Sequence, residues 1–189
     1  MRQYRTMAAL MAGAALVSAM SLGVAPAGAA QRPQGGSARS QGYPVAVYFS
    51  RHPASDNRYG AVFAVRRVSP TRGVATFAVR QLLAGPTAAE ARAGYFTELT
   101  QAVRGPSTCG PAGFTLRLNR RGRTPEPGTA TLQFCRRLSI PGLGADARMS
   151  AEIVATLRQF PPVHRVVILT AAGVCFGDLS GLNRCLRPR

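Results

Sequence analysis

Between Gly144 and Thr170 the chain reads GADARMSAEIVATLRQFPPVHRVVILT, and the spacing of its apolar residues changes once. Met149, Ile153, Val154, Leu157 and Phe160 recur at helical intervals and make one apolar face. Arg148, Glu152 and Arg158 fall mostly off that face. Asp146 suits the N-cap or the acidic first turn of this helix. Pro161 and Pro162 cannot continue it. Val163, Val166, Val167, Ile168 and Leu169 then form a nearly continuous apolar run, the pattern of a central strand covered on both faces. A helix feeding such a strand predicts a two-layer α/β or α+β domain, and the rest of the chain is organised around this unit.

Upstream, residues 45–49 and 61–65 read as short apolar strands, with Arg66-Arg67-Val68 carrying the second to the surface. Ser69 and Pro70 have the chemistry of an N-cap and a first helical residue. Val74, Phe77, Ala78 and Leu82 would share the buried face of that helix, and Gly85-Pro86 would end it. Thr87 and Glu90 stand at capping-box spacing ahead of a short second helix. Phe114, Leu116 and Leu118 alternate with Thr115, Arg117 and Asn119, and alternation resumes over residues 129–135. These two runs predict an antiparallel pair joined by a long basic, proline-containing connection at 120–128. Thr156 and Gln159 are read as solvated helix residues, and residues 171–189 as a glycine-punctuated tail.

The N-terminus changes the picture of compartment. Arg2 and Arg5 precede an apolar, small-residue-rich stretch at 7–24, and A-x-A patterns end at Ala27 and Ala29. This is the pattern of a secretory signal peptide over residues 1–29, cut after Ala27, Ala29 or Ala30. A polar, glycine-rich leader follows at 30–42, then a domain at 43–172 and a tail at 173–189. No later stretch is apolar enough to span a bilayer, so the expectation is a secreted or extracytoplasmic protein of the cell envelope or periplasm.

Charge and cysteine fit that compartment. The formal charge is +17, with 24 basic residues, all arginine, against seven acids. GC-rich coding accounts for arginine in place of lysine but not for so few acids, and an anionic partner is one reading of the excess. Cys109, Cys135, Cys175 and Cys185 are even in number, and in an oxidising compartment they predict two disulfides. Of three possible pairings, Cys109–Cys135 and Cys175–Cys185 close the shortest loops, the second pinning the tail. A zinc site is the alternative, but the spacings do not suit it and no C-x-x-C is present.

The matching order of elements now meets specific residues: VRQLLAGP at 79–86 with Thr87 and Glu90, residues 45–49, 63–68 and 128–134, and AEIVATLRQFPPVHRVV at 151–167. On these the chain resembles the GerMN domain family, the sporulation and spore germination module of bacterial envelope proteins, over residues 43–172. The resemblance implies a small α+β fold. It has a mixed or antiparallel sheet on two main helices, similar to the ring-building motifs of envelope secretion assemblies. It further implies an interaction module outside the cytoplasmic membrane, and it transfers no catalytic residue. The segment CFGDLSGLNRC at 175–185 departs from the family pattern and reads as an appended disulfide loop.

No catalytic constellation is legible. His52 and His164 are candidate general bases, each more simply a surface residue. Asp178 and Ser180 read as a side-chain-bonded turn. No cofactor or metal motif occurs. The favoured function is a secreted, non-enzymatic envelope module contacting a protein partner or peptidoglycan. The alternatives are a cell-wall hydrolase, or a binder of anionic wall polymer through Arg120, Arg121, Arg123, Arg136 and Arg137. Nucleic acid is a poor partner, because no stacking aromatics interleave with these arginines.

Overall fold

Alternation sets the first strand. In β1 (Tyr43–Arg51) Val45, Val47 and Phe49 turn inward and are buried, and the strand pairs antiparallel with β2 (Phe63–Ser69). The computed structural model describes residues 42–139 and 141–188, so the expected signal peptide and all of the leader except Gly42 lie outside the described residues. After β2 come α1 (Val74–Ala84), α2 (Ala88–Arg92), β3 (Tyr95–Phe96), α3 (Leu99–Ala102) and β4 (Val103–Arg104). Then follow the hairpin β5 (Phe114–Arg121) and β6 (Thr124–Phe134), and β7 (Arg137–Leu138). The long helix α4 (Leu143–Arg158), β8 (Arg165–Leu169) and a 3-10 turn at Arg184–Leu186 complete the described chain.

The fold is α+β. Its strands form two three-stranded sheets, ordered β2-β1-β3 and β5-β6-β8, and a small β4-β7 pair. One apolar core lies among them. Val47 and Phe49 meet Val79 and Leu82 of α1, Leu132 and Phe134 of β6, and Met149, Ile153 and Leu157 of α4. The chain from β6 through α4 to β8 is a crossover, which is what a parallel β6–β8 pair requires.

Four local expectations differ from what the structure contains. The first helix starts at Val74 behind Gly73, not at Ser69. Ser69 still pairs with Tyr43, and its hydroxyl is bonded to both backbone groups of Thr71, so the chain turns before it coils. The 120–128 connection is mostly strand. Arg121 pairs with Thr124 across a tight turn at Gly122-Arg123, and residues 126–129 bulge out opposite Asn119. Pro125 and Pro127 are tolerated because β8 reaches only Thr129–Gln133, leaving their edge unpaired. β8 is an edge strand rather than a central one. Its apolar run reports two covered faces: Ile168 enters the main core, while Val167 and Leu169 pack under Cys175, Cys185 and Leu186 of the tail.

The fourth difference concerns α4. Glu152 and Thr156, expected toward solvent, are fully buried, and together with Gln159 at the C-cap they serve β1. Glu152 Oε1 accepts from Ser50 N at 2.9 Å, Thr156 Oγ1 from Tyr48 N at 3.1 Å, and Gln159 Oε1 from Ala46 N at 2.8 Å. Gln159 Nε2 also donates to Ala46 O at 2.6 Å. The N–H groups of Ala46, Tyr48 and Ser50 face away from β2, so a helix satisfies an edge that would otherwise need another strand. The periods nearly match. Four strand residues span about 13 Å and seven helix residues about 10.5 Å, and the longer Glu and Gln side chains at the ends make up the difference.

Two expectations hold at atomic detail. Thr87 and Glu90 form both bonds of the capping box, at 2.8 and 3.3 Å. Gly85 ends α1 with φ +82, and a Cβ there would lie 2.7 Å from Thr100 Cγ2. Gly85→Ala is therefore expected to cost about 1–2 kcal/mol, from the left-handed backbone and the clash together. Urea denaturation of the variant checks it, and a loss below the experimental error would refute it.

Candidate functional site

The tail and the β5–β6 tip enclose a basic cleft. Disulfides join Cys175 to Cys185 and Cys109 to Cys135. The first closes the tail into a loop that lies over the outer face of β8, where Val167 and Leu169 pack against it. Asn183 Oδ1 accepts from Cys175 N at 2.8 Å and secures the loop. Between the hairpin tip and the residues flanking this loop is a cleft of about 560 Å³, lined by Arg117, Arg121, Arg123, Gln133, Leu186 and residues 171–173.

Its electrostatics follow from how each guanidinium is spent. Glu126, set out on the β6 bulge, accepts from Arg121 Nε at 2.6 Å, Arg165 Nη1 at 3.0 Å and Thr129 Oγ1 at 2.6 Å. The Thr129 hydroxyl and then Arg121 hold this carboxyl down at about 2, so it stays ionised. One acid thus serves two arginines, and a positive charge remains. Arg121 Nη1 also donates to Leu186 O, tying the hairpin to the tail. Arg117 and Arg123 are exposed, and their guanidinium groups have no hydrogen-bond or ion-pair partner among the described residues. The cleft is therefore cationic, semi-rigid at Arg121 and open at Arg117 and Arg123.

The five arginines read from the sequence as one surface are divided. Arg120, Arg121 and Arg123 are at the hairpin tip, where Arg120 Nη1 donates to Arg123 O at 2.8 Å. Arg136 and Arg137 follow the other end of β6, a strand of 11 residues that spans up to roughly 35 Å at strand rise. Arg136 packs over Gly113, its Nε buried without a partner, and Arg137 is exposed on β7 opposite Arg104. Arg117 and Gln133 join the tip instead. The alternation of β5 puts Arg117 on the outer face, but nothing local to it announces that the tail crosses that face.

The candidate bases stand apart. His52 Nδ1 meets Asp56 Oδ1 at 2.6 Å on an exposed turn, its ring stacked on Phe96. His164 is exposed beside Gly128. Asp178 Oδ1 accepts from Ser180 N at 3.0 Å and from its hydroxyl, and Oδ2 accepts from Arg184 N at 3.0 Å, which makes a turn and holds the carboxyl low. Glu152 is held up at about 7 by burial, opposed by its bonds to Thr97 and Ser50, but it is closed to solvent. No group of three or more metal-ligating side chains occurs among the described residues, and no described helix is long and apolar enough to cross a membrane.

Comparison with known proteins gives one family. The family described as Germane, sporulation and spore germination, matches residues 46–171. No curated protein matches. A solved structure of the tandem GerMN domains of the sporulation protein GerM from Bacillus subtilis is similar at 16% identity, with a TM-score of 0.44. The similarity covers 74% of this chain and 45% of that one, so the chain spans less than half the length of that relative. Most of the tail that walls the cleft falls beyond the family match.

Proposed function

The chain belongs to the sporulation and spore germination family, whose match spans more than half of it, and from that premise we propose a secreted, non-enzymatic envelope module that holds anionic wall polymer in its arginine cleft. The observation that supports this reading most is the pair Arg117 and Arg123. Their guanidinium groups are unpaired among the described residues, and both line one cleft beside the half-neutralised Arg121. Phosphate or carboxylate groups of a wall polymer suit such a cleft, because guanidinium forks match planar or tetrahedral oxyanions. The signal-peptide pattern and the two disulfides fit an oxidising compartment where such polymers are found.

Retention of the mature protein on isolated peptidoglycan, with and without its phosphate-bearing polymers, tests this. Binding is expected with the polymers present and should weaken steeply with salt. The double change Arg117→Ala and Arg123→Ala is expected to reduce affinity by at least about tenfold, or about 1.4 kcal/mol. Folding should be unaffected, since both side chains are exposed. Salt-independent retention, or unchanged affinity in the double variant, would remove the cleft from consideration. Turnover of purified sacculi by the wild type would instead make the protein a hydrolase.

A further inference from the structure

Asp146 is the acid left without a partner. All seven carboxylates are among the described residues. Glu90 pairs with Arg67, Glu98 with Arg148, Glu126 with Arg121 and Arg165, and Asp56 with His52. Glu152 accepts three hydrogen bonds and Asp178 is bonded through both oxygens. Asp146, in the first turn of α4, has neither an ion pair nor a hydrogen bond among the described residues, and its Oδ1 is shut from solvent. Of the seven acidic side chains it is the one with neither among the described residues. The helix dipole favours a first-turn acid by a few tenths of a kcal/mol to about 1 kcal/mol, which leaves its acceptor capacity unused.

The surroundings indicate what would use it. Asp146 lines a pocket of about 400 Å³ between the start of α4 and the disulfide loop, together with Leu143, Cys175, Gly177, Asp178 and Leu179. Gly177 has φ +74, and a Cβ on it would stand 2.8 Å from Asp146 Oδ2, so only glycine lets the loop close over the carboxylate. Leu143 is 73% and Leu179 is 84% exposed, two large apolar side chains on the rim of one small pocket. Burial raises the Asp146 carboxyl above its ordinary range, as expected where no donor or cation answers it.

We propose that this pocket is a docking site for a single basic side chain of a partner protein, carried between apolar residues that cover Leu143 and Leu179. A guanidinium or ammonium supplies the missing donors and charge, and its aliphatic stem suits the apolar walls. The occupant is one cation on an otherwise neutral or acidic segment. A strongly basic partner, a second copy of this chain included, would be repelled by the net charge of +17. The site is separate from the arginine cleft and does not depend on polymer binding there.

The test uses the mature chain, uniformly labelled with 15N, titrated with a capped Leu-Arg-Leu peptide and with its Leu-norleucine-Leu counterpart. Shift changes at Gly177, Asp178 and Leu179 are expected for the arginine peptide, with affinity at least about tenfold above the norleucine peptide. Asp146→Asn should remove that preference. Leu179→Ser, at a residue too exposed to affect folding, should weaken both peptides. Equal binding of the two peptides, no response at these amides, or an unchanged preference in Asp146→Asn would overturn the proposal. So would concentration-dependent shifts of the same amides without peptide, which would make a second copy the occupant. Shifts produced by calcium chloride alone would make the pocket a metal site.

Discussion

Replacing Glu152 by Gln is expected to abolish a pH dependence of stability worth about 2–3 kcal/mol. Burial raises the Glu152 carboxyl from 4.5 to about 7 in the folded chain. A group raised in this way binds its proton more tightly when folded. Its contribution is complete below the unfolded value of 4.5 and is lost as pH rises through about 7. From about pH 5 to about pH 8 the wild type therefore loses roughly 2.5 kcal/mol through this residue. Gln keeps the acceptor for Ser50 N and the Ser50 hydroxyl and presents its amide to Thr97, whose hydroxyl can turn to accept. The variant should be as stable as the wild type near pH 5 and more stable near pH 8. Glu90 and Glu126, both held at about 2, titrate below this window and do not contribute. Urea denaturation across the range measures the difference. Parallel curves for the two proteins would show that Glu152 is not the titrating group. Glu152→Ala is a separate case, because it leaves Ser50 N–H unsatisfied beside a cavity and should cost about 3 kcal/mol or more at any pH.

Opening the tail loop is expected to weaken polymer binding although no arginine is changed. The bridge Cys175–Cys185 closes a loop with a sequence separation of 10, and Cys109–Cys135 one of 26. Loop-closure entropy makes these worth about 2.7 and about 3.5 kcal/mol respectively. The functional consequences should separate in the opposite order. Cys175→Ser with Cys185→Ser frees the segment that carries Leu186, whose carbonyl holds Arg121, and that walls the cleft. Cys109→Ser with Cys135→Ser acts at the other end of β6, next to Arg136 and away from the hairpin tip. The first pair should lower anion affinity markedly for a smaller stability loss. The second should lower stability more and leave affinity intact. Equal effects on affinity would mean that the cleft is not shaped by the tail.

The sites were unevenly visible in the chain itself. Cysteine count and spacing favoured short loops, and the capping box and Gly85 were readable because each is a contact or dihedral within a few residues. Arg120, Arg121 and Arg123 could be noticed as a basic run. That Arg121 is half-neutralised by Glu126 could not, since the β6 bulge that delivers Glu126 has no periodic signature. Arg136 and Arg137 looked like members of the same surface only because a list of arginines carries no distances. Asp146 looked like an ordinary first-turn acid, and its lack of a partner appears only when all seven acids are placed.

What the amino-acid order determined by itself was what depends on near neighbours: the alternation of β1, β5 and β6, the 3.6-residue stripe Met149–Ile153–Leu157, the turns, and the family motifs on the helix before β8. Only the tertiary structure decided where polar residues at helical spacing would point. Glu152, Thr156 and Gln159 resemble a solvated face until β1 is laid beside them with three unpaired N–H groups. Burying a polar side chain is favourable only when a partner arrives with it, and that partner is about a hundred residues away in the chain. The same rule is unmet at Asp146 among the described residues, and it is there that a basic side chain of another molecule is proposed to dock.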